Sequence, residues 1–303
     1  GTPEVDVNLR LPDPLEADDC DREEKTKTMA KGTPRRLDRL TEVFSLDDLE
    51  RRIMLICLLP EMSLAYERLF GYLQDDVTKR RPTIELLLRL LGSSPLENLR
   101  LRRYFSSQAN LIRHGIVSLM AGTDGSASSF IGRFLKLDEG IVSYLVGYED
   151  IDIRLASFGE MEVLHSGLDD IVLPDPLRWQ LRRLVEETKA SSMMPLCYVH
   201  GPPGAGRRTV ARAVCAELGH PLLVVDLARL VENDSPLLPE SAIGLVFREA
   251  KLRGAATCWH NFAVLGSGAA QPSLVNKLVS EAATFGGLTF LCDWPLGRSD
   301  TCR

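Results

Sequence analysis

The residues best suited to chemistry form a glycine-rich loop between a short apolar strand, predicted over 194–199, and a helix predicted over 207–218. The loop reads Gly201, Pro202, Pro203, Gly204, Ala205 and Gly206. Such a loop places consecutive backbone N–H groups around a phosphate at a helix N-terminus, where the helix dipole also favours an anion. The spacing therefore predicts a phosphate-binding turn made of backbone atoms.

The side chains that follow this turn depart from the usual phosphate-loop pattern, which continues with Lys and then Ser or Thr. Here Arg207 and Arg208 occupy those places, and Thr209 comes one residue later. Lysine reaches phosphates as a compact charge, whereas arginine is a wide planar fork that cannot replace it cleanly. Two interpretations remain open. Either ATP or ADP binds without the usual Mg²⁺ ligand, or the turn is kept for folding and oligomer contacts.

The acidic pair that a phosphate-loop ATPase needs is also missing. A buried strand predicted over 255–259 should deliver a carboxylate for Mg²⁺ and a second one for the attacking water. It is followed by His260 and Asn261 instead. Imidazole is a poor ligand for a hard cation, and an amide cannot accept a proton from water. Asp226 is expected to cap a turn. Asp293 could touch a water on the γ-phosphate side, but a plain surface acid is the favoured interpretation, so we predict no catalytic residue and no hydrolysis.

The composition describes an ordinary globular chain of 303 residues with a net charge of -6. This length accommodates two domains, and the charge argues against a protein that coats nucleic acid. No apolar run approaches the roughly 18 residues that span a membrane, and no secretion signal opens the chain. We therefore expect a cytoplasmic protein without a membrane partner. The seven cysteines are scattered, and several lie in apolar segments, which predicts buried thiols and no metal site.

The first half of the chain predicts a disordered acidic leader over 1–40 and a helical domain over 41–150. A central helix over 49–59, ended by Pro60, is followed by short helices near 64–73, 84–91, 95–105 and 107–113. The hydrophobic period then changes to that of a hairpin, with strands over 116–120 and 130–135 around a turn at 121–128. Short helices before a hairpin are typical of a winged helix.

The charge of this domain bears on two possible functions, DNA binding and contact with a protein partner. Between residues 77 and 136 the sequence has ten basic residues against three acidic ones. This excess could bind the phosphate backbone of DNA, in which case charge reversal at Arg100, Arg102 and Arg103 should abolish binding. The predicted hairpin turn, however, carries no Arg or Lys that could enter a groove. Contact with a protein partner is therefore the favoured interpretation, and nucleic acid is the alternative.

The second half predicts a connector over 151–166 and an α/β domain over 167–303. Strands near 194–199, 221–227, 255–259 and 288–292 alternate with helices, which indicates a parallel sheet covered on both faces. The fold class is therefore an α/β phosphate-loop domain preceded by a mainly α winged-helix domain.

The loop 201–209, the segment 167–172 and the order of the strands resemble the AAA+ ATPase fold. In that family the upstream segment lies by the adenine, so the resemblance implies that role for Asp170, Ile171 and Val172. Residues 66–78 and 135–138 resemble the winged-helix region of large bacterial AAA proteins, some of which accompany extracellular contractile injection systems. Such proteins typically carry a degenerate first AAA module followed by an intact one, and Arg207, Arg208, His260 and Asn261 fit the inactive module.

The resemblance implies that this chain is the N-terminal part of a longer protein. No helical lid or second sensor follows the last predicted strand before residue 303. The expected function is a winged-helix adaptor joined to a non-hydrolysing AAA module, with ATP turnover in a downstream module. The expected partners are that module, other copies in an oligomer such as a hexamer, and an injection-system protein. The alternative is a DNA-binding regulator whose AAA half serves as an oligomerisation scaffold.

Overall fold

The structure is a computed structural model that describes residues 36–121, 129–164, 166–190, 194–202, 204–232, 237–266 and 272–293. Most of the predicted leader, the hairpin turn at 122–128 and Pro203 lie outside the described residues. The leader was expected to reach residue 40, but helix α1 already begins at Arg36 because Leu40 is buried in the N-terminal core.

The N-terminal domain contains seven described helices and two strands. They are α1 (Arg36–Val43), α2 (Asp48–Met62), α3 (Leu64–Leu73), α4 (Ile84–Leu91), α5 (Pro95–Leu101), α6 (Asn110–Arg113), β1 (Val117–Met120), β2 (Phe134–Leu137) and α7 (Glu139–Val146). β1 and β2 pair antiparallel from Val117↔Leu137 to Met120↔Phe134. Helices followed by a hairpin are the predicted arrangement.

Helix α2 differs from its prediction at its C-terminal end. Asp47 begins it with a capping box to Glu50, as expected for an acidic cap. Pro60 was expected to end it, but the helix continues to Met62 and ends at Ser63. Proline removes only one backbone hydrogen bond near the end of a helix, and Pro60 is itself buried, so packing offsets that loss.

The C-terminal domain is built on a sheet whose five described strands lie in the order β3-β5-β6-β7-β4. Its elements are β3 (Gly159–Glu162), α8 (Asp175–Ala190), β4 (Leu196–His200), α9 (Arg207–Leu218), β5 (Leu222–Asp226), α10 (Leu227–Val231), α11 (Pro239–Arg253), β6 (Ala256–His260), α12 (Pro272–Phe285) and β7 (Thr289–Asp293). β4 to β7 are parallel. One apolar core includes residues of α10, α11 and α12, and another includes residues of α8 and α9.

Strand β3 corrects the prediction for residues 151–166, which were expected to be only a connector. Residues 159–162 pair antiparallel with β5, from Gly159↔Val225 to Glu162↔Leu222. The strand carries an acidic residue at every second position, Glu160 and Glu162. Four residues give too short a pattern to distinguish a strand from a linker, so pairing with β5 decides their conformation.

The two domains pack against each other through α11. Leu252 of α11 is buried in the core of the N-terminal domain. Arg248 of the same helix bonds the carbonyl of Gly115 at 2.7 Å and the carboxylate of Asp138 at 2.8 Å. No helix in the described part of the chain is both long and apolar enough to cross a membrane.

Candidate functional site: the phosphate loop and the adjoining strand ends

The described residues of the loop 201–209 include two glycines and a helix start with the backbone geometry typical of an anion-binding turn. Gly204 and Gly206 have φ values of +82° and +79°, which side-chain-bearing residues rarely adopt. Gly206 is the N-cap of α9, and its carbonyl accepts the first bond of the helix, from Val210 N–H at 2.9 Å. The amides of residues 207–209 therefore precede the first intrahelical bond and are available at the positive end of the helix dipole.

The loop is anchored to the sheet by its first glycine. Gly201 N–H donates to the carbonyl of Asp293 at 3.2 Å, and Ala205 N–H donates to the carbonyl of Pro202 at 3.0 Å. Because Asp293 ends β7 beside β4, the loop lies over the carboxyl ends of the parallel strands. Ligands bind at this edge in open α/β sheets.

Arg208 does not occupy the position of a metal-ligating hydroxyl. Its guanidinium pairs with Glu162 and also reaches Glu160 Oε2 at 3.1 Å. Arg212, one turn later on α9, donates from Nη2 to Glu162 Oε1 at 2.7 Å. We call these four residues the loop cluster. The cluster holds Arg208 toward β3, where its charge neutralises Glu162, a carboxylate only 7% exposed.

Arg207 and Thr209 are the remaining loop side chains, and they differ in their surroundings. Arg207 lies close enough to lower the pKa of Cys292, although hydrogen bonding from Cys258 has a larger effect. Thr209 is exposed, and its side chain comes 3.9 Å from the position that a Cβ on Gly206 would take. Arg207 is therefore the cation placed at the strand ends beside the loop.

The end of β6 carries His260, and Asn261 follows it, at the place where a phosphate-loop ATPase has two carboxylates. Burial first, and the charge of Arg208 second, lower the pKa of His260 below its ordinary value. Asn261 donates from Nδ2 to Asp226 Oδ1 at 2.8 Å. Asp226 in turn accepts from Ala228 N–H at 3.0 Å and caps α10, which confirms the capping role predicted for it.

These strand ends border a cleft of about 510 Å³. Its lining includes Phe158, Glu160, Arg208, Arg229, His260 and Asn261. The polar groups in it already bind one another: Asn261 contacts Asp226, and Arg208 contacts Glu160. A neutral imidazole and an amide can bind or orient water, but neither supplies the carboxylate base that the hydrolytic reaction uses.

Asp293 is the residue whose environment the sequence interpretation judged wrongly. It was expected to be a surface acid, yet it is only 7% exposed. The reason is topological: β7 lies between β6 and β4, so both neighbours cover its end. The signal that could have found it is the uninterrupted apolar run before it, which makes Asp293 the last residue of a fully buried strand.

The segment 167–172 lies beside the opposite end of α9. Leu168 N–H donates to Glu217 Oε1 at 3.2 Å, close to the C-terminus of the helix. Asp170 accepts from Gly167 N–H at 2.7 Å, the carbonyl of Ile171 accepts from Arg178, and Val172 is fully exposed. Within the described residues, the hydrogen bonds of Asp170, Ile171 and Val172 do not join them to the loop.

The comparisons with known proteins give two family matches. The first, described as "Winged helix domain, variant", covers residues 15–159. The second, described as "ATPase family associated with various cellular activities (AAA)", covers residues 197–266. The chain contains a winged-helix domain followed by an AAA domain. Both parts of the predicted fold class are therefore confirmed, and the loop 201–209 and the end of β6 both lie in the AAA match.

Similar solved structures include two AAA proteins. A katanin structure, entitled "Structural Basis for Katanin Self-Assembly", is 16% identical with a TM-score of 0.38, covering 48% of this chain and 54% of that one. The AAA domain of FIGL-1 is 14% identical with a TM-score of 0.39, covering 48% and 55%. The chain thus spans about half the length of these structures. No curated protein matches the chain.

The AAA site fits a phosphate better than it fits a metal ion. The glycine turn and the three leading amides of α9 supply backbone donors, and Arg207 adds a nearby cation. Residue 208, in contrast, supplies an arginine already bound to Glu162. In the described part of the chain no group of three His, Cys, Asp or Glu side chains could hold a metal ion.

Proposed function

We propose that this chain is the N-terminal part of an AAA+ protein, in which the winged-helix domain docks a protein partner and the AAA module binds ATP or ADP without hydrolysing it. ATP turnover would occur in a downstream module, and assembly would involve that module and other copies, for example in a hexamer. The observation that carries the proposal is the ion pair between Arg208 and buried Glu162. It holds toward β3 the side chain that stands, in the sequence, where the magnesium-ligating hydroxyl is expected.

The loop cluster makes this arrangement hard to reverse. For Arg208 to turn toward a nucleotide, buried Glu162 would keep only Arg212 as a cationic partner, and weakening a buried ion pair is unfavourable. The same ion pairs hold α9 against β3. The loop thus keeps backbone donors for an anion while its second arginine stabilises the fold.

Contact with a protein is favoured over DNA because part of the basic charge of the winged-helix domain is already neutralised locally. Arg81 pairs with Glu61 at 2.6 Å, and Lys136 pairs with Glu139 at 2.6 Å. Exposed apolar side chains on the same domain provide contact area instead, with Leu64, Tyr72 and Val77 exposed by 72%, 83% and 87%. Large exposed apolar side chains of this kind are the contact area that a protein partner would cover.

The proposal includes a class of partner and a location in the cell. Residues 66–78 and 135–138 resemble the winged-helix region of large bacterial AAA proteins, some of which accompany extracellular contractile injection systems. On overall similarity to that group, the proposed partner is a component of such a system. A cytoplasmic location follows from the same assignment.

Calorimetric titration of ATP and ADP, each with Mg²⁺ and with EDTA, tests the nucleotide half of the proposal. We expect both nucleotides to bind with affinities that change less than about threefold on removing Mg²⁺, because the described site offers backbone donors and no metal ligand set. Phosphate release should not exceed the background. Turnover that requires Mg²⁺ would contradict the proposal, and so would complete absence of nucleotide binding, which would favour a turn kept for folding.

Two glycines that cap the same helix give a matched pair of variants for this titration. Gly206 precedes α9 and Gly219 follows it, with φ values of +79° and +71°. Gly206→Ala and Gly219→Ala therefore impose similar backbone strain, roughly 1 kcal/mol each. Only Gly206→Ala should weaken nucleotide binding, since only it disturbs the leading amides. Equal loss in both variants would mean that overall stability, rather than the loop, controls binding.

Binding to a short DNA duplex at several salt concentrations tests the alternative function. We expect no salt-dependent binding at physiological ionic strength. If binding is found and charge reversal at Arg100, Arg102 and Arg103 abolishes it, the DNA-binding regulator is the better assignment.

A further inference from the structure

The second feature that could bind a ligand is a cleft between the two domains, away from the loop. It measures about 470 Å³ and is lined on one side by the end of α6 and the residues after it, and on the other by α11 and α12. Among the described residues its lining holds five cationic and three carboxylate side chains. The cations are therefore in excess where the winged-helix domain meets the AAA domain.

Most of the charged side chains in the described lining of this cleft form ion pairs with one another. The side chains without such a pair are therefore few. Asp138 is bound by Arg248 and Arg154, each at 2.8 Å. Glu281 pairs with Lys277 at 2.6 Å. Glu240 is the remaining carboxylate of the described lining and is exposed.

Arg113, His114 and Lys251 form a group without such compensation, which we call the junction cation group. Lys251 Nζ lies 5.4 Å from the ring centroid of Phe44, and the His114 ring packs on the same phenyl at 5.0 Å. Burial and then the charge of Arg113 lower the pKa of Lys251. Burial first, and then the charges of Lys251 and Arg113, lower the pKa of His114 to about 4, against a smaller opposing effect of Glu281. The charges of Arg113 and Lys251 repel each other, and His114, which is neutral near pH 7, keeps an N–H that can donate.

Arg248 supplies an independent sign that a partner belongs here. It is 5% exposed and lines the cleft, and its Nε has no hydrogen-bond partner within the described residues. Buried donors without partners are rare in native proteins, and each calls for an explanation such as a bound ion. Because Nη1 and Nη2 already donate to Gly115 and Asp138, the Nε–H is the donor that remains for an oxyanion.

We propose that this cleft is a second anion site, which binds a phosphate or pyrophosphate group between the two domains. The junction cation group supplies the charge and Arg248 a further donor. Because Arg113 and His114 belong to the winged-helix domain and Arg248 and Lys251 to the AAA domain, a bound phosphate joins both. Its occupancy stabilises the junction by mass action.

Calorimetric titration of the whole chain with inorganic pyrophosphate at constant ionic strength tests this site. Lys251→Gln and Arg113→Gln should each weaken binding about tenfold, the effect of losing one charge-assisted hydrogen bond. Lys189→Gln and Arg89→Gln are matched controls, because Lys189 and Arg89 are also in the last turns of helices and are exposed. Both controls should bind as the wild type does, and circular dichroism should show all four variants folded.

The loop is the competing site for pyrophosphate, so the titration is repeated with Gly206→Ala. The junction site predicts a binding event that survives Gly206→Ala and is weakened by Lys251→Gln. Binding that Gly206→Ala abolishes and Lys251→Gln leaves unchanged would place the anion at the loop and overturn the junction site. Equal affinity in Lys251→Gln and Lys189→Gln would overturn it as well. These outcomes do not depend on whether ATP binds to the loop.

Discussion

The two domains meet at one arginine–carboxylate cluster, and the phosphate loop contains another. The junction cluster consists of Arg248, Asp138, Asp152 and Arg154, and it joins segments more than 90 residues apart. The loop cluster joins β3 to α9 within the AAA domain. Both set arginines around buried carboxylates, but they differ in how much of the cation is buried. The side chain of Arg248 is 4% exposed, whereas those of Arg208 and Arg212 are 37% and 44% exposed.

This difference indicates different consequences for losing a cation. In the junction cluster, burial by itself would raise the pKa of Asp138, yet the charges and hydrogen bonds of Arg248 and Arg154 hold it below the ordinary value. Asp152 behaves in the same way, with Arg154 as its largest stabilising partner. Removing Arg248 leaves two acids in a poorly solvated position. In the loop cluster, water reaches both arginines. It can therefore replace part of the stabilisation that their guanidinium groups receive from the carboxylate of Glu162.

The largest expected effect is therefore at Arg248. Arg248→Met keeps much of the apolar volume and removes the charge, so Asp138 and Asp152 retain only Arg154 as a cationic partner. We expect a loss of about 3 kcal/mol in the free energy of unfolding. Urea unfolding followed by circular dichroism measures it.

Arg229→Gln is the matched control for this substitution. Arg229 is also an arginine on an AAA-domain helix, but its side chain is 68% exposed and its pair with Asp226 spans 3.7 Å. The control should cost less than about 1 kcal/mol, as exposed ion pairs do. If Arg248→Met cost no more than Arg229→Gln, the contrast between the two clusters would have no energetic basis.

The loop cluster gives a smaller effect and tests the role assigned to Arg208. Glu162→Gln removes the buried charge but keeps the shape, and the two arginines remain solvated. We expect a loss of about 1–2 kcal/mol. Glu160→Gln is the control, because Glu160 lies on the same strand, contacts the same arginine and is 72% exposed. It should change stability by less than about 0.5 kcal/mol; a larger loss than that of Glu162→Gln would contradict the assigned roles.

Local pattern was enough to predict the elements of the site, because each lies in a continuous segment. Glycine spacing predicted the loop, and α9 spans the predicted residues 207–218. The apolar run before His260 predicted β6. The cap formed by Asp226 was also predictable, since capping depends on the next few residues.

The partners of the arginines could not be predicted in this way. Glu162 contacts Arg212 across 50 positions, and Asp138 contacts Arg248 across 110. No periodic pattern in the sequence predicts contacts between residues so far apart along the chain, because these contacts result from strand order and domain packing. Asp293 was misjudged for the same reason: its burial depends on which strands flank β7. The sequence thus predicted which side chains had been lost from the loop, but not that Arg208 had acquired a structural partner.

The smallest expected effect is a difference in how two histidines make stability depend on pH. His114 lies near the junction cluster and His260 near the loop cluster. An ordinary histidine titrates near pH 6.5, while burial and neighbouring cations lower the pKa of His114 to about 4 and also lower that of His260. Between these values the unfolded chain binds more protons than the folded one, so stability rises with pH from about 4 to 6.5 and levels off above it. After allowance for partial exposure, His114 should account for about 1 kcal/mol of that rise.

Urea midpoints at pH 4.5, 5.5 and 7.0 measure this slope in the wild type, His114→Gln and His260→Gln. The difference between wild type and each variant isolates one histidine from other groups, including Glu249, whose raised pKa gives a slope of opposite sign. Asp138 and Asp152 do not interfere, because their lowered pKa values confine their loss of stability to pH below about 3.9. His114→Gln should flatten the slope more than His260→Gln does, since the pKa of His114 falls to about 4 and the charges of Lys251 and Arg113 outweigh that of Glu281 beside it. Equal slopes in the two variants would contradict this expectation. They would mean that the cations near His114 oppose its protonation no more strongly than those near His260 oppose that of His260.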